Sequence, residues 1–262
     1  MKRSFAAGIL FVLLMNFAVA PLSAQGTYWE STTTGMGGEH VSQMYYLSKM
    51  FKSVTTDEDG GRVVIVRLDK EKIYTLSPKE KTYSEMTFNE LEATMKKMGS
   101  EMDSHMAEMN EQLASMPPEQ RKMVEEMMKK QMNRGGGDEV KVEKTGDSKT
   151  ISGYSCTKFL VKQDDKEMAT IWTTKDLKAF ESMRGDFQEF SKRMMSMNPM
   201  TKGMGEGMQK VEGFPIETDG ARGFKQVVTK VEKRSIAASE FEIPADYKKV
   251  KSELQEHNEK EE

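Results

Sequence analysis

The sequence predicts an α+β fold, an antiparallel sheet interrupted by helices. Three observations carry this. Short segments of alternating apolar and polar residues, set off by clusters of turn formers, run from 28 to 86 and resume after 140. Connections this short force neighbouring strands to run antiparallel. Between the two runs, apolar residues recur at steps of three and four, the period of an amphipathic helix. The single cysteine, Cys156, rules out an intrachain disulfide, so stability must come from a packed core.

The chain opens with Lys2 and Arg3, an apolar run from Phe5 to Ala20 and the small residues of "PLSAQ". This is the pattern of a secretory leader spanning 1–24 and cut after Ala24. "AVA" at 18–20 is a poorer site because Pro21 would follow the cut. No second long apolar stretch exists, so the reading is a periplasmic or secreted protein and not an integral membrane protein. Loss of the leader removes two basic residues and no acids. The mature chain then has 37 basic against 42 acidic side chains, a formal net charge of −5. That is not the footprint of a nucleic-acid binder. Residues 25–250 read as a single α+β domain with a helical insertion at 88–134, and 251–262 as a charged, flexible tail.

Strands are expected at Tyr28–Thr34, Val41–Tyr46, Met50–Thr55, Arg62–Asp69, Lys72–Leu76 and Thr82–Met86, forming a meander with "RVVIVRL" at its centre. Asn89 is expected to cap a helix in which Leu91, Met95, Met98, Met102, Met106, Met109, Leu113 and Met116 form one stripe, with a mean step of about 3.6 residues. Pro117 and Pro118 must break this helix and can start another, "RKMVEEMMKKQM", which ends at Gly135–Gly137. Strands resume at Val140–Thr145, Tyr154–Lys162 and Met168–Thr174, with Gly153 supplying the bend before the second of these. A further helix over Leu177–Met197, with a break near Gly185, carries Leu177, Phe180, Met183, Phe187, Phe190 and Met194. Phe214–Thr218, Phe224–Lys233 and "EFEIP" complete the sheet.

"RLDKEKIYTLSPKEKTYSEM", "GYSCTKFLV" followed by "IWTTKDL", and "FEIPADYKKV", in this order, resemble the secreted bacterial family known as domain of unknown function 4412. That family is similar to the periplasmic lipoprotein carriers. The resemblance implies a half-barrel, a strongly curved antiparallel sheet wrapped around helices, with an apolar cavity between them. It implies no catalytic residue and no cofactor.

Three uses compete for the methionine stripe. Thioethers are flexible and polarizable and suit surfaces that adapt to a ligand. Met95, Met98, Met102, Met106 and Met109 are therefore expected to line a site for an apolar small molecule, lipid or acyl chain, with Tyr154, Phe159 and Trp172 on the facing sheet. Alternatively the hairpin docks on an envelope protein. In a third reading Met98, Met102, His105 and Met109, which fall within about 60° on a helix, bind a soft ion such as Cu(I). The stripe runs evenly from Leu91 to Leu113, as a packing face does, whereas a metal site needs only a tight cluster. Enzymatic function is the poorest fit. The three histidines lie in unrelated settings, and no "HExxH", "GxSxG" or phosphate-binding glycine loop occurs.

Overall fold

The computed structural model describes residues 23–35, 38–56, 60–124, 140–163, 165–197, 207, 209–252 and 254–255. Among them, twelve strands form one open sheet: β1 (Ser23–Gly35), β2 (Gly38–Leu47), β3 (Met50–Thr56), β4 (Arg62–Arg67), β5 (Lys72–Ser77), β6 (Thr82–Thr87), β7 (Val140–Ile151), β8 (Tyr154–Gln163), β9 (Lys166–Thr174), β10 (Phe214–Gly220), β11 (Lys225–Ala237) and β12 (Lys248–Lys249). The order across the sheet is β12-β6-β5-β4-β3-β2-β1-β11-β10-β9-β8-β7. Every pairing is antiparallel except β12 on β6. Most of the expected leader lies outside the described residues, but Ser23 and Ala24 pair with Ala237 and Ile236.

The sheet is sewn unevenly. β1 and β11 pair along almost their whole length, whereas β10 meets β11 only through Glu217–Val227, Thr218–Gln226 and Asp219–Lys225. Into the opening beside Val228 comes the tip of the β7–β8 hairpin, whose Ser152 hydroxyl donates to the Val228 carbonyl at 2.7 Å. β8 stands three places from β11, about 14 Å in a flat sheet, so the sheet bends back on itself here. The tip itself is a two-residue turn with Ser152 at φ 50° and Gly153 at φ 83°. Two positive φ values define the hairpin turn whose twist matches its strands, and glycine enters that region without steric cost.

Helix α1 (Phe88–Ser115) follows β6 without a loop. Its cap is Thr87, not Asn89. The Thr87 hydroxyl accepts from the Glu90 amide at 3.1 Å, and the Glu90 carboxylate accepts from the Thr87 amide at 2.7 Å. This reciprocal pair satisfies two amides that the first turn would leave open. At the other end the Arg121 side chain donates to the carbonyls of Leu113, Ala114 and Met116. The helical segment that starts at Pro118, α2, is described over 118–124, and the rest of the expected hairpin arm lies outside the described residues.

Helix α3 (Lys178–Met197) lies against the sheet and is continuous through Gly185, where a break was expected. Nothing stands within 4 Å of the position a Gly185 Cβ would take. Gly185→Ala should therefore stabilise the protein by about 0.5–1 kcal/mol, read as a higher urea midpoint at unchanged slope.

The main core joins α3 and the start of α1 to one face of the sheet through Tyr46, Phe51, Phe88, Met183 and Phe214. A second core covers the opposite face of β3–β5. There the "EFEIP" segment is not a strand. Ala238–Phe241 forms a 3-10 turn that drops Phe241, 1% exposed, onto Ile65, Leu76 and Ile236. Pro244 has no amide to add to a ladder. Arg67 pins this crossing segment with hydrogen bonds to the Phe241 carbonyl and the Glu242 carboxylate.

Candidate functional site

A cavity of about 590 Å³ lies between α3 and the sheet. Its floor follows from a pattern repeated on three adjacent strands, an aromatic or methionine side chain two positions from a serine. β1 supplies Trp29 and Ser31, β2 Met44 and Ser42, and β3 Phe51 and Ser53. Residues two apart share a face of a strand, and the register sets Ser31 opposite Ser42 and Trp29 opposite Met44. Serine is too small to fill the space beneath a helix packed against a sheet, so the hollow sits where the serines are. Two of the three hydroxyls have partners: Ser42 Oγ lies 3.1 Å from Thr55 Oγ1, and the Gln226 amide donates to Ser31 Oγ at 3.4 Å.

The roof is the apolar stripe of α3: Phe180, Met183, Phe187, Phe190 and Met194. Phe214 of β10 closes one side. Its ring stands edge-on to Trp29 at 5.8 Å and to Phe180 at 5.5 Å, an arrangement aromatic quadrupoles favour. At the far end Phe51 meets Phe190 at 6.3 Å and Phe187 at 6.4 Å. Phe187 remains 51% exposed, so the cavity is reachable from solvent beside it.

A polar clamp fixes one edge of α3 to the β2–β3 turn. The buried Asp186 carboxylate accepts from the Lys49 amide at 2.7 Å and from Tyr46 Oη at 2.9 Å, and it lies 3.1 Å from Lys49 Nζ. Tyr46 Oη also stands 3.0 Å from the Ser182 carbonyl. Burial alone would raise the Asp186 pKa, but the Lys49 amide and ammonium and the Tyr46 hydroxyl together hold it below the usual carboxylate range. The same burial, with Asp186 as acceptor, pushes the Tyr46 phenol up. Further along, Glu189 takes Lys49 Nζ at 2.6 Å and Arg193 takes Glu71 at 3.0 Å.

The expected site residues lie elsewhere. Met95 packs half-buried on the main core beside Leu91; Met98 and Met106 are half-buried; Met102 and Met109 are 58% and 38% exposed. None of the five is among the cavity's lining residues. The reason is where α1 starts. It springs from β6, next to the sheet's edge, and only its first turns reach the main core through Phe88, Leu91 and Met95. The His105 side chain is 82% exposed, 3.9 Å from Glu108. Among the described residues, no group of three or more His, Cys, Asp or Glu is placed to hold a metal ion.

On the sheet, Phe159 is buried with Val161 and Ile171, Tyr154 packs half-buried on the main core, and Trp172 carries Lys149 Nζ 4.3 Å above its ring. None of these three lines the cavity, although Ile171, the cross-strand partner of Phe159, does. The buried Cys156 thiol is pushed up by burial and sits 3.4 Å from the Tyr154 carbonyl.

These features define an α+β protein in which a helix roofs an apolar hollow in an open, mostly antiparallel sheet. The chain belongs to the family described as Domain of unknown function (DUF4412), whose model matches residues 89–247. The matched stretch holds α3, β9, β10 and β11, while the serine-bearing strands of the floor precede it. No curated protein sequence matches the chain. Among solved structures, it is similar to an uncharacterized conserved protein from Thermus thermophilus, at 8% identity and TM-score 0.43, over 86% of this chain and 90% of that one. It is also similar to PNGF-II, at 10% identity and TM-score 0.40, over 89% of this chain but 32% of that one. For the MucA/MucB complex of Pseudomonas aeruginosa the values are 8% identity and TM-score 0.38, over 86% and 58%. The chain thus spans about a third of the length of PNGF-II. No helix of the described residues is long and apolar enough to cross a membrane.

Proposed function

We propose that this is a non-enzymatic binding or carrier protein, periplasmic or secreted once the leader is removed near Ala24, that holds an apolar ligand between α3 and the sheet. The observation that carries the reading is the cavity itself. Its volume of about 590 Å³ falls in the range of small-molecule sites, and its walls are mainly aromatic and aliphatic with a few polar groups on the floor. The site on this reading is roofed by α3 rather than by the methionine stripe of α1.

Mature protein purified without detergent should show a co-purified adduct by native mass spectrometry and take up a fluorescent fatty acid saturably. Ser53→Leu, which places a branched side chain in the hollow, should abolish uptake without unfolding the protein. Wild-type protein with neither adduct nor uptake would overturn the reading.

The exposure of Met102, Met109 and Met123, the last at 65%, favours a second reading in which the far part of the hairpin docks on an envelope protein. Removing 88–134 would also remove core residues Phe88, Leu91 and Met95. Serine substitutions at the three exposed methionines separate docking from folding instead: they should weaken crosslinking to a partner while leaving fatty-acid uptake intact.

A further inference from the structure

Among the described residues, the cavity lining contains one charged side chain, Arg184 of α3. Its guanidinium is solvent-accessible, and among the described residues it enters no hydrogen bond or ion pair. The other charges of α3 near the sheet are engaged. Asp186 and Glu189 are held by Lys49, and Arg193 by Glu71. These engaged groups and Arg184 lie on opposite sides of the apolar stripe. At 100° per residue Arg184, Gln188 and Ser191 form a line about 90° round the helix from the centre of that stripe, and Asp186, Glu189 and Arg193 lie about 100° round it the other way. α3 therefore has a clamped edge, an oily face and a polar edge, and all three residues of the polar edge line the cavity.

The acidic group next to that edge is already paired. Glu212, between cavity residues Val211 and Gly213, is taken by Lys175 at 2.6 Å. Its carboxyl is held below the ordinary range by Lys175 first, with Lys144 and Arg184 adding through space. Glu212 is thus already paired, and the amides of Gln188 and Gln209 are further donors at the rim.

We propose that the cavity takes an amphiphile with a single anionic head, a carboxylate or a phosphate, whose head is bound by Arg184 and Gln188 at the rim while its hydrocarbon chain lies between the aromatic face of α3 and the serine floor. This rests on the binding-protein reading above. A guanidinium matches the paired oxygens of either head group, and the described lining behind it holds no second charge to satisfy. A neutral lipid would fill the cavity and leave Arg184 in water. A cationic amphiphile would set like charges together.

The test is displacement of a bound fluorescent fatty acid from the mature protein by four ligands of equal chain length: a fatty acid, an alkyl phosphate, a fatty alcohol and an alkyl ammonium. The acid, the phosphate or both should bind about tenfold tighter than the alcohol at low salt, with the gap narrowing at high salt, and the ammonium should bind weakest. Which anion is preferred assigns the head group. Arg184→Gln should abolish the gap while leaving the alcohol's affinity unchanged, and Arg184→Lys should restore part of it. Equal affinity for acid and alcohol in wild type, or a gap that survives Arg184→Gln, overturns the head-group assignment and leaves the binding-protein reading standing. Failure of every amphiphile, the probe included, overturns both.

Discussion

Asp186→Ala is expected to lower the free energy of unfolding by about 2–4 kcal/mol, because one buried carboxylate serves three donors. The Lys49 amide, Tyr46 Oη and Lys49 Nζ all converge on it. Removal leaves the Lys49 amide without its acceptor, while Tyr46 keeps the Ser182 carbonyl and Lys49 Nζ keeps Glu189. Asp186→Asn, which preserves shape and one acceptor, should cost less. A double-mutant cycle with Tyr46→Phe should show coupling of about 1 kcal/mol.

The pH dependence has a definite sign. The folded pKa of Asp186 is depressed, so its stabilisation is complete above the unfolded value of about 4 and is lost as pH falls through the depressed folded value. Urea unfolding followed from pH 6 to pH 2 should show a shallower acid decline in Asp186→Asn than in wild type. The same substitution should speed hydrogen exchange in α3 before it does so in β3–β5. A loss under about 1 kcal/mol, with α3 protection unchanged, would mean that apolar contacts alone hold the helix.

The sequence points to the methionine stripe of α1 as the face over the hollow, and in the structure the stripe of α3 lies there instead. Both helices show apolar steps of three and four, and local periodicity says that a helix packs without saying on what. α1 has the longer stripe, but it leaves the sheet near an edge. α3 follows β9, the third strand from the other edge, and reaches back over β1–β3, which the strand order places in the interior of the sheet. That order depends on pairings such as Trp29 with Val231, far apart in the chain. No local pattern encodes them.

The α+β class and eleven of the strands were legible from alternation and turn residues, because their neighbours in sequence are also their neighbours in space. β7 was underestimated: it continues past Thr145 to Ile151 through a register shift between Lys144 and Ser148. Polar bulge residues mask such a continuation. The cavity floor left a faint trace, a large apolar residue and a serine two apart in "WES", "SQM" and "FKS". One such dyad is commonplace. Its meaning appears only when three strands set their dyads side by side.

Phe214→Ala should destabilise the protein by about 3–5 kcal/mol. The ring is 5% exposed and holds Trp29 and Phe180 in edge-on contact, and both contacts disappear with it. The site cannot easily close over the loss. β10 is anchored by pairing to β9 from Phe214 onward and to β11 from Glu217 onward, so the void merges with the cavity. Phe241→Ala on the opposite face removes a ring that is 1% exposed and should cost a similar amount. The two variants are distinguished by ligand. A bound hydrocarbon chain must span a wider gap in Phe214→Ala, so its affinity should fall. Phe241→Ala should keep wild-type affinity and gain stability on saturation as wild type does, by about 2.7 kcal/mol at a hundredfold excess over Kd. Unchanged affinity in Phe214→Ala would place the ligand somewhere other than beneath α3.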